Sequence, residues 1–220
     1  QSAAGMAAAF VALNETFSAV FDASRAEAST PAMADERAKG LKDQFIMDMH
    51  THFLRDDTRL TNFVRAREAV GKAGWNPQLV DKPQTLEDLK FNNFFKEIYL
   101  DSDTKVALIS SSPSEEPQDW FLTNEQMIEA RDKINKDAGS RRMFAHAIFT
   151  PGQDGWLEHL EGSLARKPES IKGYTVGDNT NKDLARHPWR MDDEKVTYKA
   201  YELAVKHGIK NICVHKGLFP

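Results

Sequence analysis

Residues 44–53 carry an aspartate and two histidines at alternate positions, Asp48, His50 and His52, at the end of a short apolar run. An apolar run of this length fills a buried parallel strand. Side chains on a strand alternate faces, so His50 and His52 project the same way, with Cα atoms roughly 6.6 Å apart. Two imidazoles in that relation converge on one ion, at about 2.0–2.1 Å per Zn–N bond. Asp48 is expected on the same face, bracing a ligand or the ion. A bare His-x-His is an ordinary polar strand end. The apolar approach to Asp-x-His-x-His is what favours a metal. Residues 211–218 repeat the pattern, with an apolar strand closed by His215.

Helices and strands must alternate to hold these residues. A helical pattern runs from Leu60 to Lys72, with Phe63, Val64 and Val70 apolar, and Gly71, Gly74 and Pro77 punctuate its end. A second helix opens at Thr85, where Asp88 makes a weak capping box, and Leu86, Leu89, Phe94, Phe95 and Ile98 recur at helical spacing. The strand Lys105–Ser110 follows. The capping box Thr123-Asn124-Glu125-Gln126 starts a helix to about Ala138, terminated by Gly139. The strand Arg142–Phe149 contains His146, which faces either a pocket or the core. Helix 153–166, strand 170–175, helix 193–207 and strand 209–215 complete the series. The last helix is expected to turn Val196, Ala200, Tyr201, Ala204 and Val205 inward and to end at Gly208. Five alternations predict a parallel sheet with crossover helices. A TIM (β/α)8-type barrel usually needs about 250 residues. The chain therefore reads as the N-terminal part of such a barrel, about five strands over residues 41–220, preceded by a 1–40 segment.

Residues 45–53 resemble the first-strand signature of the metal-dependent amidohydrolase superfamily, whose members are (β/α)8 barrels. The tract from Trp189-Arg190-Met191-Asp192-Asp193, through Tyr201-Glu202-Leu203-Ala204 and Gly208, to Val214-His215-Lys216-Gly217 resembles the amidohydrolase-related branch. That branch holds hydrolases and aminocarboxymuconate-semialdehyde-decarboxylase-like enzymes, and the resemblance covers residues 44–220. It implies that His215 joins His50 and His52 as a metal ligand. It also implies a sixth-strand histidine and an eighth-strand aspartate, the latter the general base; no residue up to Pro220 matches them. A carboxylated lysine is a further family option, for which Lys172 and Lys216 stand near strand ends, each read otherwise as a substrate-binding or surface lysine.

The implied cofactor is a divalent metal, zinc first, which lowers the pKa of a bound water from 15.7 to about 7. The expected reaction is attack of that hydroxide on an amide, ester or lactone carbonyl of a small molecule. The alternatives are non-oxidative decarboxylation, with an arginine holding the departing carboxylate, and a non-catalytic subunit or fragment needing a partner chain to complete the barrel. Lys172, Tyr174, Trp189 and Arg190 are the candidate substrate-binding residues, with Asp178 and His187 nearby. Arg190 either grips a carboxylate through its planar fork or pairs with Asp192 or Asp193.

The 220 residues are 40% hydrophobic and 28% charged, with net charge −4, which is ordinary for one globular domain and gives no electrostatic case for nucleic acid. One cysteine, Cys213, excludes an intrachain disulfide and a Cys-rich zinc site, whereas seven histidines leave ample nitrogen donors. Residues 3–13 form an apolar run too short for a bilayer, which needs about 20 residues. With Ala26-Glu27-Ala28 as a small-x-small step, the run reads as the tail of a twin-arginine export signal, which implies a periplasmic or exported protein. A retained N-terminal helix and a cytoplasmic location are the alternative.

Overall fold

The computed structural model describes residues 36, 39–40, 43–75, 79–177 and 186–215. The apolar run 3–13, the Ala26-Glu27-Ala28 step, linker residues 24–35, Asp178 and Lys216 lie outside them. The chain divides into Gln1–Phe45 and Ile46–Pro220, and the fold below is that of the second unit.

The order of elements is β1 (Met47–Thr51), α1 (Asn62–Lys72), a 3-10 turn (Leu86–Leu89), α2 (Phe91–Phe95), a π-helical turn (Lys96–Leu100) and β2 (Val106–Ile109), then, after a short 3-10 turn, α3 (Asn124–Ala138), β3 (Met143–Phe149), α4 (Trp156–Leu164), β4 (Ser170–Gly173), α5 (Thr197–Lys206) and β5 (Ile212–Val214). The strands form one parallel sheet in sequential order. Among the described residues no helix is long and apolar enough to cross a membrane.

Pairing along β3 explains the shape of the sheet. Its lower half, Met143–Ala145, pairs with β2, and its upper half, His146–Phe149, pairs with β4. Such a stagger is the shear that closing a barrel requires. In a flat sheet β1 and β4 would stand three strand spacings apart, roughly 14 Å. Yet Lys172 Nζ on β4 lies 3.1 Å from His50 Nε2 at the end of β1. The sheet is curled into a half-barrel, concave on the side of these two residues.

Where β2 stops short of upper β3, a side chain replaces the missing strand. Asn124, fully buried, donates from Nδ2 to the Ile148 carbonyl at 3.0 Å and accepts from the Ile148 N–H at 2.8 Å. Its position is fixed by the first turn of α3. Thr123 Oγ1 accepts from the Gln126 N–H, and Gln126 Oε1 accepts from the Thr123 N–H. Gly139, at φ +62°, ends the helix, with the Gly139 N–H on Lys136 O and the Ser140 N–H on Asn135 O. The outer face of the sheet is packed in two clusters. Met127, Ile128 and Ile134 of α3 cover Ala107, Met143 and Ala145; Leu160, Leu164, Ala200 and Ala204 of α4 and α5 cover Ala147, Phe149 and Ile171.

Three expectations need correction. The helix expected after Thr85 is broken, because Lys90 is extended (φ −95°, ψ 176°) between the 3-10 turn and α2. Asn93 Nδ2 donates to the Asp88 carbonyl at 2.7 Å, so the break leaves that group satisfied. Val205 is 76% exposed, because the buried stripe of α5 is Thr197, Ala200 and Ala204 and the next residue is rotated about 100° away from it. Asp48 does not share a face with His50. The register slips between Asp48 and Thr51, a β-bulge, and such a slip reverses the alternation. Asp48 is paired with Ala107 on the helix-covered face, and its Oδ1 accepts from the His50 backbone N–H at 3.0 Å.

Asn124→Ala strips the Ile148 N–H and C=O of their buried partners. It is expected to lower unfolding free energy by roughly 2–4 kcal/mol in urea titrations, at about 1–3 kcal/mol per orphaned group.

Candidate functional site

Alternation along each strand decides which side chains meet on the concave face. Beyond the bulge His50 and His52 point inward from β1, and Ser110 ends β2 beside them. His146 and Ile148 point inward from β3, Ser170, Lys172 and Tyr174 from β4, and Cys213 and His215 from β5, as the registers require. All lie toward the C-terminal ends of parallel strands, where α/β barrels keep their chemistry.

His50 and His52 meet edge to face, with ring centroids 4.6 Å apart and planes at 70°. His52 Nδ1 is 2.9 Å from the Ser110 carbonyl oxygen. A carbonyl only accepts, so Nδ1 carries the proton and donates, leaving the lone pair on Nε2. A partner of this kind is what fixes the tautomer and orientation of a metal-binding histidine. Lys172 Nζ stands at the Nε2 of His50, and 5.3 Å from the ring centroid of Tyr174. Tyr174 in turn stacks on His215, with centroids 4.7 Å apart and planes at 14°. His146 is buried behind this group, with Nδ1 2.5 Å from Ser170 Oγ.

Burial is the first cause that lowers the pKa of each of these histidines, and the charge of Lys172 adds to it in every case. His52 falls to about 4 and His146 to about 3. The fields of His50 and His215 also reach His52, which places all three imidazoles in one electrostatic neighbourhood. Burial likewise lowers Lys172 and raises Tyr174. The site thus holds its imidazoles neutral, the form in which they bind cations. The fit to an ion is incomplete as the side chains stand. Among the described residues no three His, Cys, Asp or Glu donors are grouped closely enough to hold one, and the amine of Lys172 occupies the lone pair of His50.

The expected residues therefore divide. His50, His52, Lys172, Tyr174 and His215 come together. Trp189 is buried and lies against Gly173, where a Cβ would come within 2.8 Å of the indole and of Phe149, and its Nε1–H donates to the Tyr174 carbonyl. It holds the end of β4 in place. Arg190 is exposed, and both arms of its fork are taken by Asp192 at 2.9 and 3.0 Å, the ion-pair alternative. His187 lies within 3.4 Å of the Cβ position of Gly152. A cavity of about 420 Å³ adjoins His215, bounded by Ser112, Ser114, Glu115, Tyr174 and Thr175. Two partners escaped sequence reasoning. The Ser110 carbonyl carries no residue signal, and the contact of Ser170 with His146 follows only from the strand register.

No family model, no curated protein and no solved structure matches the chain. Residue chemistry and geometry carry the functional reading.

Two measurements test this electrostatic picture. In two-bond ¹H–¹⁵N spectra His52 is expected as the Nδ1–H tautomer with an unprotonated Nε2. Because His52 and His146 are depressed from about 6.5, the unfolded chain takes up protons first as pH falls. The stability they contribute is complete above about pH 6.5 and is lost toward pH 4 for His52 and pH 3 for His146. Urea midpoints should fall over that window, at up to about 1.4 kcal/mol per pH unit for each ring, and less steeply in His146→Gln.

Proposed function

We propose that this chain is a metal-dependent hydrolase of the amidohydrolase type, in the amidohydrolase-related branch, with its sheet forming the first five strands of a (β/α)8-type barrel. The observation that carries the reading is the pair His50 and His52, convergent at 4.6 Å and backed by the Ser110 carbonyl on His52 Nδ1. His50, His52 and His215 would hold the cation, and imidazole donors suit zinc. When bound, such an ion supplies Lewis acidity and lowers the pKa of water.

The chain's own groups do the rest. The Ser110 carbonyl keeps the His52 lone pair aimed inward. Lys172, 6% exposed and directed at the same point, donates a hydrogen bond to the oxygen of a bound carbonyl, where charge develops during attack. Its amine also stands where, as the carboxylated lysine of the resembled family, it would present oxygen donors to the ion. Tyr174 orients His215 by stacking, and the 420 Å³ cavity beside them gives room for an amide, ester or lactone of a small molecule. Decarboxylation needs a guanidinium free to hold the departing carboxylate. Arg190 is engaged by Asp192, which supports hydrolysis over that alternative.

Elemental analysis of the full chain after dialysis against zinc is expected to give about one ion per chain, with affinity weakened at least about tenfold in His50→Ala and in His52→Ala. Hydrolysis of a panel of esters, lactones and amides should fall with the metal. Unchanged zinc in both variants removes the centre.

A further inference from the structure

The ring of His52 has a second side. Its edge meets Phe121, with centroids 5.6 Å apart, and Phe121 meets Phe63 at 4.8 Å with planes at 87°. These rings, with Phe94, enclose a cavity of about 100 Å³ whose far end is polar, formed by Arg67 and Glu97. Arg67 is ion-paired with Glu97 and donates from Nε to Gln84 Oε1 at 2.7 Å, so the polar end is electrically compensated. Glu97 is placed there by the π-helical turn Lys96–Leu100, a deviation from α-helix found mostly where a fold serves a function.

We propose that this cavity is the side-group pocket of the active site and takes one six-membered aromatic ring of an uncharged substrate. The proposal rests on the histidine cluster being the reacting centre. Size argues for a single ring, because a cavity of about 150 Å³ lined by apolar side chains binds benzene. The walls argue for an aromatic one, because Phe63 and Phe121 offer the edge-to-face geometry that aromatic rings prefer. The compensated Arg67–Glu97 pair accepts or donates one hydrogen bond to a neutral substituent, while a carboxylate there would face Glu97. His52 is the shared wall, held by the Ser110 carbonyl, so a ring in this pocket leaves its attached carbonyl next to the convergent imidazoles. The substrate class is therefore an aryl-bearing amide or ester.

The probe is p-cresol, added to the full chain and followed by NMR on the His52 ring and on labelled phenylalanines. Saturable shifts at His52 and Phe121 are expected, with none from glycerol. Phe63→Trp, which fills the space, should weaken p-cresol by roughly tenfold or more while zinc uptake is kept. Phe63→Leu, which enlarges the space, should admit 2-naphthol. No shift at His52 or Phe121 overturns the pocket, as does equal p-cresol affinity in a folded Phe63→Trp. Zinc bound without p-cresol in the cavity sinks the pocket alone. The ring in the cavity without zinc uptake sinks the centre, and with it the role given to the pocket.

Discussion

The curvature of the parallel sheet is the constraint on which the site depends. Strands one and four of an open sheet do not exchange side-chain contacts. Here the amine of Lys172 and the imidazole of His50 are within hydrogen-bond reach. The stagger along β3 produces that closeness, and Asn124 makes it tolerable, because it satisfies the backbone where the stagger leaves β3 without a strand neighbour. Curvature, shear and one buried amide are thus parts of a single arrangement.

Curling also sets the electrostatics. It places one lysine within range of four imidazoles from β1, β3 and β5, and that charge lowers the proton affinity of each. Burial works in the same direction. A chain that gathers histidines without such help would gather protons too, and those rings would repel a cation rather than bind one. Lys172 therefore has two opposed effects: it frees the lone pairs, and it competes for one of them.

Much of the scaffold was legible in the sequence. All five strands lie where apolar runs bounded by turn residues put them. The Thr123–Gln126 box and Gly139 bound α3 as their chemistry requires, because these signals are local. Pairwise register is not local, and there the reading failed. No residue between Asp48 and Thr51 announces a bulge, so Asp48 was assigned to the wrong face. Val205 was misread because a helix shorter than its pattern buries a narrower stripe. The site was legible as His50, His52 and His215, whose strand-end positions speak for themselves. It was not legible as the Ser110 carbonyl, the His146–Ser170 pair or the packing role of Trp189, all of which arise from residues distant in sequence.

Gly173 has a consequence for the strand it belongs to. With no side chain there, the indole of Trp189 rests directly on the outer surface of β4, while Lys172 and Tyr174 project from the inner one. The strand at this point is a thin partition. Displacement of the indole on the solvent-remote outer side would be transmitted through the Tyr174 carbonyl to the stacked His215, so changes far from any reacting atom can retune the chamber across the wall.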